Sequence, residues 1–179
     1  MSKSLKPAVF LDRDGTLIEE VNFLSGVEDL RFFAYTDRAI LQLKESGYLV
    51  IVVTNQSGIG RGYFSEAEMH LTHDAIQQHL TEKIDAFYFC PHLPDAGCEC
   101  RKPAPGMIRQ ACADFDIDLE NSWMVGDKAL DVRLGLGLKM KTALVLTGYG
   151  KSHRATLEVN PDLVADNLLD AVENILGRS

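Results

Sequence analysis

Two carboxylates one residue apart, Asp12 and Asp14 in Phe10-Leu11-Asp12-Arg13-Asp14-Gly15-Thr16, close a short apolar run and pair an oxygen nucleophile with a second, proton-handling acid. Three partners for such a pair stand far along the chain. They are the hydroxyl of Thr54, the cation of Lys102 in Arg101-Lys102-Pro103 and the carboxylate of Asp127 in Val125-Gly126-Asp127. Together they describe metal-dependent phosphoryl transfer. A carboxylate attacks phosphorus when a cation such as Mg²⁺ screens the repulsion between two anions, and the acyl phosphate it forms is open to water. In that scheme Asp12 is the nucleophile. Asp14 protonates the departing alkoxide and then takes a proton from the hydrolytic water. Thr54 and the backbone amides of Asn55-Gln56-Ser57-Gly58 can cradle phosphate oxygens, Lys102 holds positive charge beside the transferring group, and Asp127 offers a hard oxygen ligand to the cation. Asp131, one helical turn beyond Asp127, stays open between a partner of these groups and a solvated carboxylate.

A second cluster carries different chemistry. Cys90-Pro91-His92 and Cys98-Glu99-Cys100 put four soft ligands within eleven residues. A Cys₃His tetrahedron suits Zn²⁺, and with every position filled by protein the metal is structural. The rival is a disulfide, which a reducing compartment disfavours and which would be strained between Cys98 and Cys100. The spacing is not that of a zinc finger. Cys100 directly precedes Arg101 and Lys102, so a metal that pins this loop also pins those cations. Cys112 and His73 read as core residues, and His70, His79 and His153 carry no pattern.

Strand-like runs alternate with helix-like segments along most of the chain, which predicts an α/β fold with a mainly parallel sheet. The runs are Ala8–Asp12, Tyr48–Thr54, Ala86–Phe89, Trp123–Val125, Thr142–Leu146 and Leu163–Ala165. Val50-Ile51-Val52-Val53 is β-branched throughout and reads as buried on both faces. Ligands of such sheets bind at the carboxyl edge, which is where Asp12, Thr54 and Asp127 fall. Thr36 opens a helix that Gly47 ends, Ser65 and Glu68 form a capping box ahead of Met69, His73, Ile76 and Leu80, and a helix begins near Pro105. The last helix runs from about Leu168 to Leu176. Neither residues 15–35 nor 55–65 can hold a separate cap domain, so the whole of 1–179 is expected to be one domain whose loops control access.

At 179 residues the chain can bury roughly 70% of the surface its unfolded form exposes. Its net charge of −8 argues against a nucleic-acid partner, since phosphate-backbone binding needs clustered Lys and Arg. No apolar run approaches a membrane span and the first residues lack a secretory signal, so a cytoplasmic protein without a membrane partner is expected. A monomer is expected on the same acidic, cap-free grounds.

The set Asp-x-Asp, Thr, Lys and Gly-Asp in this order resembles the haloacid dehalogenase superfamily of phosphatases, over most of the chain. The resemblance implies Asp12 as nucleophile, Asp14 as acid/base, Thr54 and Lys102 as phosphoryl stabilisers, and Asp12, Asp14 and Asp127 as Mg²⁺ ligands. Asp14 would bind that metal through its backbone carbonyl. Within the superfamily, Thr54-Asn55-Gln56-Ser57-Gly58-Ile59-Gly60-Arg61-Gly62, Cys-Pro-His, Cys-x-Cys-Arg-Lys-Pro and Met124-Val125-Gly126-Asp127-Lys128 are similar to the family that removes the 7-phosphate of D-glycero-D-manno-heptose 1,7-bisphosphate for lipopolysaccharide core. That similarity implies a sugar bisphosphate substrate touched by Glu20, Val21, Asn22, Phe23, Asn55, Gln56, Ser57, Arg101 and Lys128. Arg101 has a physical reason to be there, because a guanidinium grips a distal phosphate bidentately. Two alternatives remain: a histidinol-phosphate phosphatase, which shares these motifs, and a receiver-like switch that stores a phosphoaspartate.

Overall fold

The computed structural model describes residues 5–178. The chain opens with β1 (Lys6–Leu11), crosses through α1 (Thr36–Glu45) to β2 (Leu49–Asn55), and passes the single turn α2 (Ser57–Gly60) and the long α3 (Glu66–His79) to β3 (Ala86–Cys90). It then runs through α4 (Gly106–Asp114) to β4 (Ile117–Gly126), α5 (Ala129–Gly137) and β5 (Lys141–Val145), and ends with α6 (Gly150–Ala155), β6 (Leu163–Ala165) and α7 (Leu168–Ile175). All six strands lie parallel in the order β3-β2-β1-β4-β5-β6. The strand order reverses between β1 and β4. That reversal opens the crevice where doubly wound sheets bind their ligands.

The two-residue period of a strand sends alternate side chains of the central strands into two separate cores. Val9 and Leu11 of β1, Val50 and Val52 of β2, and Val125 of β4 join Ala39, Ile40 and Leu43 of α1 and Leu168, Ala171 and Val172 of α7. Ala8, Phe10, Ile51, Val53 and Met124 point the other way, onto Met107, Ile108 and Ala111 of α4 and Leu134 of α5. This is why β1 and β2 read as unbroken apolar runs: both faces are covered.

Most expected elements stand within a residue or two of their expected bounds. Four differences have local causes. Thr36 does not cap α1; it is already helical, and its hydroxyl donates to the Leu17 carbonyl at 2.8 Å. β4 begins at Ile117, not Trp123, because the polar stretch before Trp123 is an irregularity in the strand, bridged where the Ala8 N–H donates to Ser122 Oγ at 2.8 Å. α5 carries two glycines and little amphipathic contrast, and α6 is six residues long, so neither announces itself by period. Residues 15–35 hold a 3₁₀ turn at Val27–Asp29, and no domain is inserted there among the described residues.

The capping box before α3 forms as expected, with the Glu68 N–H donating to Ser65 Oγ and the Ser65 N–H to Glu68 Oε2. It sets the face that buries Met69, His73 and Ile76. Burial, with the charges of Arg13 and His70 alongside, pushes His73 from 6.5 down to about 3. The folded value lies below the unfolded one, so this group's stabilisation is complete above pH 6.5 and is lost as pH falls toward 3. Urea unfolding at pH 7 and pH 5 is therefore expected to show the native chain losing about 2 kcal/mol more than His73→Gln, which has no proton to take up.

Candidate active site

Asp12 stands one residue past β1 and Asp127 one past β4, side by side at the crevice. Thr54 and Asn55 end β2, the neighbour on the other side. The cleft above them has a volume of about 200 Å³. Asp12, Asp14, Thr54, Lys102 and Lys128 all line it. Separate segments thus converge because the parallel strands end at one edge.

The floor of the cleft is a buried charge cluster. Carboxylate oxygens of Asp12, Asp127 and Asp131 all lie within 4.8 Å of one another. Lys102 Nζ sits 2.8 Å from Asp12 Oδ1 and 2.8 Å from Asp131 Oδ1. Lys128 Nζ is 3.6 Å from Asp12 Oδ2, 3.5 Å from Asp127 Oδ1 and 3.5 Å from Glu20 Oε2. Asp131 is therefore not solvated: it is buried and ion-paired to Lys102, and its Oδ2 accepts the Lys128 backbone N–H at 3.1 Å.

The cluster splits its carboxylates. Burial opposes ionisation of Asp12, but the charges of Lys102 and Lys128 outweigh it and hold the carboxyl below its usual range. Asp127 goes the other way, pushed up to about 8 by burial and by the Asp12 charge. Burial also raises Asp131, to about 6, against the pull of Lys102. Three acids whose mutual repulsion only two lysines offset form a donor set suited to a hard divalent cation, and oxygen ligands of this kind fit Mg²⁺.

Asp127 is held by backbone. Its Oδ2 accepts the Tyr149 N–H at 2.8 Å. Gly15 and Gly148 close on the same oxygen: a Cβ on either would lie 2.3 Å from it, and both residues have positive φ, +81° and +51°. A side chain at either place would be strained in its backbone and would displace the carboxylate.

The residues expected to touch substrate divide. Asn22, Phe23, Asn55, Gln56, Ser57, Arg101 and Lys128 line the cleft. Glu20 lines it too, paired with Lys128. Val21 turns away and packs on the core. Asn55 spends its amide on the Lys102 peptide, accepting its N–H at 3.0 Å and donating to its carbonyl at 3.2 Å. Gln56 donates to Asp14 Oδ2 at 2.9 Å and to Thr54 Oγ1 at 2.8 Å, so it orients two groups of the site. At the rim Phe23 meets Tyr63 edge to face at 5.0 Å, under the Arg61 guanidinium.

Sequence reasoning missed Arg13 as a structural member of the site and Tyr149 altogether. Arg13 is buried between its two aspartates and binds Asp14 through two N–H groups. Tyr149 lines the cleft with Lys128 Nζ 5.2 Å from its ring centroid. A lone tyrosine in a turn carries no signal, whereas a charged residue inside an otherwise buried motif could have flagged Arg13.

The four soft ligands also converge. Cys90 Sγ lies 3.5 Å from Cys98 Sγ and 3.1 Å from Cys100 Sγ, and His92 Nδ1 lies 3.2 Å from Cys100 Sγ and 3.5 Å from Cys90 Sγ. The edge of a zinc–thiolate tetrahedron is about 3.8 Å, so the cluster is near the size zinc requires. All its cysteines are free. Burial raises every thiol, yet the Arg101 backbone N–H and the Cys90 thiol bring Cys98 down to about 6. The loop reaches the cleft through Arg101, which lines it while its Nη1 donates to the His92 carbonyl at 3.2 Å.

Known proteins share this fold. Residues 99–171 match a family model described as HAD-hydrolase-like. A D,D-heptose 1,7-bisphosphate phosphatase from B. bronchiseptica, solved with magnesium and phosphate, superposes with a TM-score of 0.90 at 31% identity, covering 97% of this chain and 99% of that one. Fold and site together define a phosphatase of the haloacid dehalogenase superfamily. Among curated relatives, the D-glycero-beta-D-manno-heptose-1,7-bisphosphate 7-phosphatase of Haemophilus ducreyi is 41% identical over 93% of this chain and 97% of its own. The D-glycero-alpha-D-manno-heptose-1,7-bisphosphate 7-phosphatase of Photorhabdus laumondii is 45% identical over 80% of this chain and 84% of its own. The chain belongs to the heptose-1,7-bisphosphate 7-phosphatase family. Membership sets aside the phosphoaspartate switch. No helix among the described residues is long and apolar enough to cross a membrane.

The two glycines against Asp127 provide a check on this geometry. Gly15→Ala forces φ +81° on an alanine and pushes on the carboxylate, and the backbone alone costs about 1–2 kcal/mol. Thermal unfolding is expected to show at least that loss, with weaker Mg²⁺ binding by calorimetry.

Proposed function

We propose that this chain hydrolyses the 7-phosphate of D-glycero-D-manno-heptose 1,7-bisphosphate through an aspartyl phosphate on Asp12, in the supply of heptose for lipopolysaccharide core. The observation that carries the reading is the buried carboxylate of Asp12, 2.8 Å from Lys102 Nζ at the carboxyl edge of the sheet, where the two lysines hold it below its usual range. Family membership supplies the substrate class.

The chemistry follows from the residues. A carboxylate oxygen of Asp12 forms a bond to phosphorus as the ester P–O bond breaks, and Asp14 gives its proton to the departing 7-hydroxyl. Water then attacks phosphorus and passes a proton to Asp14, releasing phosphate and restoring the Asp12 carboxylate. Lys102 and the Thr54 hydroxyl receive the charge that develops on the phosphoryl oxygens. Asp12, Asp127 and the Asp14 backbone carbonyl would hold Mg²⁺, which supplies charge neutralisation between nucleophile and phosphate when bound. Asp131 keeps Lys102 in register beside them. Arg101, with Asn22, Phe23 and Ser57, faces the sugar and its distal phosphate.

Cys90, His92, Cys98 and Cys100 would hold a structural Zn²⁺. The metal would fix the chain that leads into Arg101 and Lys102, a task the Asn55 amide shares from the β2 side.

Phosphate release with Mg²⁺ present, measured across the α and β anomers of heptose 1,7-bisphosphate, histidinol phosphate and simple sugar monophosphates, is the deciding experiment. One heptose bisphosphate should exceed histidinol phosphate by at least about tenfold in kcat/KM, which is about 1.4 kcal/mol of transition-state preference; equal turnover would return the assignment to the histidinol-phosphate branch. Asp12→Asn should abolish release, and full activity in that variant would remove the nucleophile. Elemental analysis of protein kept in thiol reductant should find one zinc per chain. Its removal by a chelator should lower the melting temperature as well as kcat, and a preparation with no zinc and full stability would defeat the loop assignment.

A further inference from the structure

We propose that His73, which touches neither the cleft nor a candidate metal ligand, is a positioning residue for Asp14 and acts through Arg13. The inference rests on the reading of Asp14 as the proton donor to the leaving alcohol.

Arg13 is the bulkiest of the fully buried side chains among the described residues. A guanidinium taken out of water costs several kcal/mol unless its N–H groups find acceptors. Here the acceptors are the site itself. Nε donates to Asp14 Oδ2 at 3.0 Å, and Nη2 donates to Asp14 Oδ1 at 2.9 Å and to Gln56 Oε1 at 3.0 Å. These bonds fix the plane of the Asp14 carboxylate. Nη1 lies 3.4 Å from Nε2 of His73.

Arginine has no acceptor, so the contact is a hydrogen bond only if Nε2 is unprotonated and accepts. The imidazole is held for that role. Its ring stacks on Phe87 of β3, centroids 4.4 Å apart and planes 21° from parallel, and His70 meets it edge-on at 6.2 Å. Only about 5% of the residue is exposed, so water cannot stand in for it. The rigid sheet thus fixes the ring, the ring fixes Nη1, and Arg13 can no longer pivot about its Nε and carry Asp14 with it. Sequence periodicity explains why His73 is buried, but a leucine would fill that place as well. The acceptor nitrogen is what a leucine lacks.

A proton donor matters in proportion to the basicity of the leaving group. An alkoxide needs the proton as the P–O bond breaks, whereas a nitrophenolate leaves without it. Misplacing Asp14 should therefore slow formation of the Asp12 acyl phosphate from a sugar phosphate and spare its formation from an aryl phosphate. A general loss of packing would slow both alike.

The test is single-turnover and burst kinetics with heptose 1,7-bisphosphate and p-nitrophenyl phosphate. In His73→Leu, heptose phosphate formation should fall 10- to 100-fold with KM within threefold, while the p-nitrophenolate burst stays within threefold of the native rate. His73→Gln, which restores an acceptor oxygen, should recover most of the loss. Should His73→Leu fail to fold, Arg13→Gln, with a single amide donor group in place of the fork, should show the same selective loss. Both esters slowed equally, no effect on either, or no difference between the Leu and Gln variants would overturn the proposal. If Asp12→Asn is inactive while His73→Leu slows both esters alike, this inference fails and the phosphatase reading stands; turnover by Asp12→Asn would instead sink that reading.

Discussion

Three buried carboxylates converge at the crevice with only two lysines to offset them, and the rest of the molecule is arranged around that imbalance. In a medium far less polarisable than water such a cluster is costly unless each charge is paired. Lys102 bridges Asp12 and Asp131, and Lys128 reaches Asp12, Asp127 and Glu20. What is left over is negative, and it falls on Asp127, the acid driven furthest toward its neutral form. A divalent cation relieves the same excess. An unbalanced charge, and not only a set of oxygen atoms, thus suits the site to a divalent cation.

Rigid supports surround each member of the cluster. Asp12 and Asp127 hang from adjacent strands that are each paired with a neighbour on both sides, and Asp127 is further trapped between two glycine turns. Lys102 belongs to a loop, which by itself would be a poor place for a buried cation. Two devices compensate: the Asn55 amide clasps the Lys102 peptide on both sides, and the soft-ligand cluster closes the chain just ahead of it. Asp14 also lies beyond the strand and is gripped by Arg13 and Gln56. In each case the group with freedom to wander has been given a second anchor. Preorganisation of this kind is where a phosphoryl-transfer site gains most, since there is little covalent work for the protein beyond the attack itself.

Aromatic groups at the rim follow another logic. Phe23 and Tyr63 come from two different loops, and Tyr149 from a third, and all three are substantially exposed. They bind few structural partners, so their packing leaves them available to a ligand. Loops of this length can vary without disturbing the sheet.

Much of the chemistry was legible in the linear order of residues. Asp12, Thr54 and Asp127 each follow a largely apolar run, and parallel strands buried on both faces end at a common edge, so their convergence was implied by local pattern alone. The soft ligands were equally readable, because four of them within eleven residues leave few other uses. Helix α5, the irregular start of β4, and the partners of Asn55, Asp131, Arg13 and His73 were not. Each depends on a contact between distant segments: Asp131 on Lys102, Asn55 on the Lys102 peptide, Arg13 on His73 across a helix and a strand. Periodicity reports whether a side chain is buried and says nothing of what it meets there. Residue types and their order thus determined the reaction class and the edge on which it occurs, while the tertiary structure decided which polar groups touch, because hydrogen bonds and ion pairs require atoms within about 3 Å and sequence encodes only the directions in which chains turn.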